Sequence, residues 1–297
     1  MTNTIFLTKM TVANTRPIEY YLNKNVCLNT YLNQTIQIQH TGNKSCVLCK
    51  RKIKKTFFEG LCYPCFQSSP LASECILRPE LCQAHLGKGR DPEWEEKYHN
   101  QPHIVYLAVT SGLKVGITKS TNASTRWIDQ GASTAIRIAE VPYRYLAGCI
   151  EVALKAHVSD RTSWQKMLKN DIQDINLITE KNRLNQLIPT QYQHYLSPND
   201  ECSYFDYPVT VYPKKVKSIN LDKQPLYNGL LTGIKGQYLL FDDGSVLNIR
   251  KHSGYEVTID QSKPSTLLAL TYLWFNLGSI IFAITGNTAS IAVPIAV

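Results

Sequence analysis

The chain has 297 residues, 43% of them hydrophobic, which is enough apolar material for two or three packed domains and excludes an intrinsically disordered protein. It carries 32 lysine and arginine residues against 23 aspartate and glutamate residues, and the resulting charge of +9 weakly favours a polyanionic partner such as nucleic acid. The opening residues, MTNTIFLTKM, lack the basic segment and long apolar run of a secretory signal. Nine cysteines without such a signal therefore predict a reducing, cytoplasmic environment and metal ligation in place of disulfides.

Hydrophobic periodicity predicts an α+β protein with several domains. The stretches YLAGCIEVALKAHV and SWQKMLKNDIQDI have apolar side chains at helical spacing, and YLLFDDGSVLNIR predicts a hairpin around an Asp-Gly turn. The predicted units are a β plus zinc-ribbon-like domain at 1–100, an α/β domain at 101–200, a small β domain at 201–262 and a hydrophobic tail at 263–297.

Four cysteines near the start of the chain form two C-x2-C units. Cys46 and Cys49 make up the first unit, and Cys62 and Cys65 make up the second. Each unit places two thiolates on one tight turn, and two such turns supply the four ligands of a tetrahedral zinc site. Since a site with four protein ligands leaves no open position, this zinc is predicted to stabilise the fold and to take no part in chemistry.

A second group of candidate metal ligands follows directly. It contains Cys75, Cys82 and His85, with His99 shortly afterwards. The C-x2-H spacing of Cys82 and His85 is compatible with a second zinc held by these cysteines together with one or both histidines. In the alternative interpretation the two cysteines are small buried apolar residues and the histidines lie on the surface.

The stretch VYLAVTSGLKVGIT at 105–118 predicts two short strands joined by a Ser-Gly turn. This hairpin carries a tyrosine, Tyr106, and a lysine, Lys114. Arg126 follows on a predicted short helix, and Glu151 lies on the YLAGCIEVALKAHV helix, one step away from its apolar stripe. A tyrosine, a lysine, an arginine and a glutamate are thus predicted on one hairpin and the two helices after it.

This arrangement resembles the GIY-YIG nuclease domain, in which two strands bear the tripeptides, the first helix bears an arginine and a later helix bears a metal-binding glutamate. Here IVY at 104–106 and KVG at 114–116 stand where the two tripeptides would be. The resemblance implies a catalytic site in which Tyr106 orients or deprotonates water, Arg126 neutralises the phosphate, Lys114 replaces the second tyrosine as a phosphate contact, and Glu151 holds one Mg²⁺.

Three functions are compatible with these residues. The first is a zinc-containing, Mg²⁺-dependent nuclease acting on DNA or RNA. The second is a catalytically inactive GIY-YIG-like scaffold that binds nucleic acid, and the isoleucine and lysine that replace tripeptide residues favour it. The third is a membrane-attached interaction protein in which the scaffold only presents surfaces. In the alternative interpretation of the site, Tyr106 is a sheet residue with its hydroxyl at the rim, Arg126 is a helix-surface cation and Glu151 is a solvated helix residue.

A broader resemblance covers residues 20 to 258. The order of motifs such as GLCYPCF, RPELC, TRWIDQGA and GIKGQYL is similar to that of the bacterial family named domain of unknown function 2797. The runs RWIDQGA and GIKGQYL are the specific part of this resemblance. It implies zinc knuckles and a GIY-YIG-like middle region, and it implies no established activity.

The apolar tail lies outside this resemblance. Residues 267–284 form an apolar run that just reaches the length of a transmembrane span, with Lys251 and Lys263 before it on the expected cytoplasmic side. Two interpretations remain for this segment. It is either a membrane tail anchor or a hydrophobic extension foreign to the ancestral domain.

Overall fold

The computed structural model describes residues 4–159 and 161–261. Within these ranges the chain forms three β-sheets and six α-helices, which confirms the predicted α+β class. The strands are β1 (Thr4–Phe6), β2 (Thr11–Ala13), β3 (Glu19–Leu22), β4 (Val26–Cys27), β5 (Thr35–Lys44), β6 (His103–Val109), β7 (Leu113–Lys119), β8 (Thr134–Val141), β9 (Ser203–Tyr204), β10 (Lys217–Ser218), β11 (Leu226–Lys235), β12 (Tyr238–Phe241), β13 (Ser245–Asn248) and β14 (Tyr255–Gln261).

The helices are short, and in chain order all six described α-helices come after β5 and before β9. They are α1 (Tyr63–Ser68), α2 (Pro92–His99), α3 (Ala123–Asp129), α4 (Arg144–Lys155), α5 (Trp164–Leu168) and α6 (Leu177–Asn185). The predicted helix over YLAGCIEVALKAHV is confirmed by α4. The predicted helix over SWQKMLKNDIQDI is much shorter than expected, because α5 stops before Asn170, whose φ of 58° lies in the left-handed region.

The largest sheet has seven strands in the order β1-β14-β5-β11-β12-β13-β10. Its centre is the antiparallel pair β5 and β11, in which Gln39 lies opposite Leu226. The hairpin of β12 and β13 confirms the predicted Asp-Gly turn. The sequence analysis placed the first and last β segments in separate domains, but here they share one sheet and one hydrophobic core. Periodicity identifies strands, and it does not identify their partners.

The predicted hairpin at 105–118 is confirmed by β6 and β7, which belong to a four-stranded sheet of order β7-β6-β8-β9. Every residue of β6 is buried. Alternate residues of this strand enter two different cores. Val105, Leu107 and Val109 share a core with residues of α4 and α6. Ile104, Tyr106 and Ala108 instead share a core with residues of α3. Strand β7 lies at one edge of this sheet, and that edge borders the site described below.

Within residues 4–159 and 161–261, no helix combines the length and hydrophobicity needed to cross a membrane. The apolar run at 267–284 lies outside the described residues.

Candidate functional site

The four cysteines of the two C-x2-C units come together in one cluster. Their sulfur atoms all lie within 4.8 Å of one another. The Cys49 and Cys62 sulfurs are 3.7 Å apart. Two sulfurs bound to one tetrahedral zinc are separated by about 3.8 Å, so this geometry is compatible with a structural zinc site formed by Cys46, Cys49, Cys62 and Cys65.

Local backbone structure explains how this cluster forms. The Lys50 N–H donates to the carbonyl of Cys46 at 3.0 Å, and a left-handed φ of 61° at Lys50 closes the first turn. The second turn leads directly into α1, with Cys62 just before the helix and Cys65 inside it. The pKa of Cys46 is lowered to about 6: burial acts to raise it, but N–H groups of neighbouring residues, including that of Cys62 at 3.2 Å, stabilise the thiolate.

A second cluster contains Cys75, Cys82 and His99, all buried. The Nδ1 atom of His99 lies 3.8 Å from the Cys75 sulfur and 3.6 Å from the Cys82 sulfur. His85, which the sequence analysis placed in this group, lies outside it. Its ring stacks on Tyr143 and Tyr145, with centroid distances of 4.7 and 4.9 Å. The C-x2-H spacing was a misleading signal here, because the short helical turn at Ala84–Leu86 directs the His85 ring toward α4.

A cleft of about 460 Å³ runs along the edge strand β7. Residues 114–119 of β7 form one wall, and α3 and α4 contribute further side chains. Both cysteine-rich segments and Arg250 supply the remainder. The charged residues that line the cleft are six cations and two carboxylates: Lys114, Lys119, Arg126, Arg144, Lys155, Arg250, Glu59 and Glu151. The potential in this cleft is therefore positive.

Arg126 on α3 is held by a chain of hydrogen bonds that begins in the sheet. With the Gln130 amide oxygen facing Arg126, this oxygen accepts from Arg126 Nε at 2.9 Å and from Nη2 at 3.0 Å. The Tyr106 hydroxyl donates to the same oxygen at 3.1 Å. Tyr106 is fully buried beside Gly116, where an added Cβ would lie 2.6 Å from its hydroxyl oxygen. Burial raises the pKa of Tyr106, and the nearby Arg126 charge offsets this only in part.

Glu151 reaches the same cleft from α4. The residue is 7% exposed, and one carboxylate oxygen lies 3.3 Å from the ammonium of Lys155 one turn later. Lys114 is also buried, at 6% exposure, and faces the cleft from β7. A carboxylate that is buried among several cations can hold a positively charged ligand or can keep the surrounding cations in position.

Arg144, at the start of α4, connects the cleft to the second cysteine cluster. Its guanidinium donates to the carbonyl of Cys75 at 2.9 and 3.1 Å and to that of Ile76 at 3.1 Å. Burial lowers the pKa of Arg144, and neighbouring negative groups, led by the Cys75 and Cys82 thiols, act in the opposite direction. One turn along α4, Gly148 packs so tightly on the second cysteine segment that an added Cβ would lie 2.3 Å from the Glu80 nitrogen.

The structure thus brings three of the four predicted catalytic residues, Lys114, Arg126 and Glu151, into one cleft. The fourth, Tyr106, lies behind the cleft wall and reaches Arg126 through Gln130. Sequence reasoning missed Gln130 and Arg144. Gln130 lies one helical turn after Arg126, and this spacing could have suggested a contact between the two side chains. No sequence motif marks Arg144.

One family model matches the chain, over residues 33–257, and its description is "Protein of unknown function (DUF2797)". Nothing among curated proteins or solved structures matches the chain. The matched segment is well over half of the chain and contains both cysteine clusters and every residue that lines the cleft. The chain therefore belongs to the DUF2797 family of proteins of unknown function.

Proposed function

We propose that the cleft beside β7 binds the phosphate backbone of a nucleic acid. The observation that carries this proposal is the convergence of Lys114, Arg126 and Arg144 on one cleft. A guanidinium presents several N–H donors in a planar fork that fits phosphate oxygens, and both arginines here are positioned by hydrogen bonds to neighbouring oxygen atoms. The cleft can therefore place several cationic side chains against the oxygens of successive phosphates.

The shape of the cleft favours a polymer over a single small anion. Six consecutive residues of β7, at 114–119, form its wall, and a strand of that length extends about 20 Å. Lys119 and Arg250 also line the cleft, so cations are distributed along it and are not gathered at one point. The net charge of +9 would add long-range attraction for a polyanion.

The binding proposal is tested with fluorescently labelled single- and double-stranded DNA and RNA oligonucleotides, titrated with the full chain at several salt concentrations. Arg126→Ala should weaken binding to all sequences, because a phosphate contact carries little base information. It should also reduce the slope of log K against log salt by about one unit, since one counterion fewer is released.

Arg183→Ala is the matched control, because it removes the same charge from α6, where Arg183 pairs with Glu180 at 2.7 Å. It should leave both the affinity and the salt slope close to those of the wild type. Equal binding by the wild type and Arg126→Ala at low and high salt would contradict the proposal. Binding of free phosphate or mononucleotides with no affinity for oligonucleotides would instead identify a small-anion site.

A second candidate function, Mg²⁺-dependent phosphodiester cleavage, is favoured by one observation. Glu151 places a buried carboxylate in the same cleft as Arg126, as the resemblance to GIY-YIG nucleases implies. One carboxylate together with substrate phosphates and water fits the ligand preference of Mg²⁺, and Glu151 would hold the ion. When bound, Mg²⁺ would supply charge neutralisation at the leaving oxygen.

In this reaction the residues of the chain would have separate roles. Arg126 and Lys114 would bind the scissile phosphate and stabilise the charge that develops on its oxygens. The raised pKa of Tyr106 keeps its hydroxyl protonated at neutral pH, so this side chain serves better as a positioning residue for Arg126 than as a base. Lys155 would hold the Glu151 carboxylate in place through their 3.3 Å ion pair.

Cleavage is tested with the same oligonucleotides in Mg²⁺ and in EDTA, using the wild type and Glu151→Gln. If the chain is a nuclease, the wild type should cut only with Mg²⁺. Glu151→Gln should abolish cutting while its binding is retained or strengthened, because a negative charge has left a phosphate-binding cleft. Salt-dependent binding without cleavage on any substrate would reject the nuclease and leave the inactive binding scaffold.

A further inference from the structure

The second cysteine cluster has three ligand-bearing residues where a closed zinc site requires four. A sulfur and a nitrogen bound to one tetrahedral zinc lie about 3.6 Å apart, and the separations of 3.6 and 3.8 Å from His99 Nδ1 to the Cys82 and Cys75 sulfurs agree with this value. All three side chains are buried. The position of the fourth ligand is therefore to be sought among buried groups close to His99.

Glu95 meets that requirement. It precedes His99 by one turn of α2, so the two side chains lie on the same face of that helix. The residue is only 2% exposed. Its Oε1 accepts from the Arg90 N–H at 3.0 Å, and its Oε2 lies 4.0 Å from His99 Nδ1. The backbone leaves space for this carboxylate at Gly89, where an added Cβ would lie 2.1 Å from Oε2.

We propose that Cys75, Cys82, His99 and Glu95 form a second, closed zinc site. Two thiolates and a carboxylate buried in one small volume carry a large desolvation cost unless a cation neutralises them. Zinc accepts sulfur, imidazole nitrogen and carboxylate oxygen together. Glu95 is not among the three residues whose ligand atoms lie within 4.8 Å of one another. To bind the ion, its carboxylate must therefore rotate toward the Cys75 and Cys82 sulfurs and also shorten its 4.0 Å separation from His99 Nδ1.

The metal content of the full chain, purified in reducing buffer with zinc, is the first test. The wild type should contain two zinc ions per chain and Cys82→Ser should contain one. Glu95→Gln keeps the size of the side chain but removes its charge, so it should release one zinc at a chelator concentration at least tenfold lower than the wild type. His85→Phe is the control, since it keeps a ring between Tyr143 and Tyr145 and should retain two zinc ions.

Cadmium-113 NMR of the cadmium-substituted wild type counts the metal sites without depending on the stability of any variant. Two resonances are expected, one from a site with four sulfurs and one, at lower frequency, from a site with two sulfurs, a nitrogen and an oxygen. Glu95→Gln should shift or remove only the second resonance. A single metal per wild-type chain would overturn the second site, and an unchanged spectrum and metal affinity in Glu95→Gln would overturn the assignment of Glu95 as a ligand.

Discussion

The two cysteine clusters differ in what they pack against. The cluster of Cys46, Cys49, Cys62 and Cys65 sits in a small hydrophobic group whose members all come from residues 46–72. The cluster of Cys75, Cys82 and His99 has a smaller group around it, and Tyr145 of α4 packs against that group. The hydrophobic group of the first cluster is thus closed on its own segment, although Phe58 and Glu59 of that segment line the cleft. The group of the second cluster is in contact with helix α4, which also lines the cleft.

This difference predicts that the two cysteine clusters stabilise different parts of the molecule. Loss of the first cluster should first affect the loop that it closes, which includes the cleft residues Phe58 and Glu59. Loss of contact at the second cluster should change the positions of cleft residues on α4. Arg144 and Gly148 join that cluster to α4, and the same helix carries Glu151. Three variants test this contrast between a local and a connected cluster.

The largest effect is expected from Cys62→Ser, which removes a buried ligand of the first cluster. The zinc content should fall by one ion per chain and the soluble yield should drop sharply, since the binding energy of a structural zinc is also folding energy. Limited proteolysis read by mass spectrometry should find the earliest cuts within 46–66. Cys27→Ser is the control outside both clusters. Full zinc content and normal yield in Cys62→Ser would refute a structural role for this cluster.

A smaller effect is expected from Gly148→Ala, which places a methyl group against the backbone of the second cysteine segment. The helix must shift, and the free energy of unfolding should fall by about 2 kcal/mol. Gly87→Ala is the comparison, since Gly87 has a φ of +68° but open space around it and should cost about 1 kcal/mol. Chemical denaturation measures both values. Equal costs for the two variants would show that the contact between α4 and this segment is loose.

The smallest effect is expected from Arg144→Lys, which keeps the positive charge but loses the fork that spans two backbone carbonyls. Under the binding proposal, the oligonucleotide affinity should fall about threefold while the zinc content and the salt slope stay unchanged. Arg183→Lys serves as the matched surface replacement. An unchanged affinity in Arg144→Lys would mean that the link between the second cluster and the cleft has no effect on binding.

Several features could be predicted from sequence because their signals are local. The C-x2-C spacing identified all four residues of the first cluster, and strand alternation identified the hairpin that pairs Tyr106 with Gly116. Helical spacing identified α4 and therefore the position of Glu151. In each case, residues within about 20 positions of one another in the chain determine the feature.

Other features depend on contacts between segments that are distant in the chain, and no local pattern marks them. Arg144 is one arginine among many until the carbonyls of Cys75 and Ile76 are placed beside it. His85 has a suitable spacing to Cys82, but stacking on Tyr143 and Tyr145 places it elsewhere. Glu95 was missed because a glutamate in a charged stretch such as PEWEEKYH gives no indication of which side chain is buried.

The pairing of β5 with β11 has a consequence for how the chain reaches this structure. Gln39 leaves the ribosome long before Leu226, its partner in the sheet, and at usual rates of synthesis the interval is roughly 10 to 40 s. During that interval β5 has two unpaired edges, and exposed strand edges promote aggregation. The hydrophobic group around the first cysteine cluster comes entirely from residues 46–72, so this cluster can form as soon as its segment is synthesised. We therefore expect the nascent chain to bind zinc early and to depend on chaperones until its last strands complete the sheet.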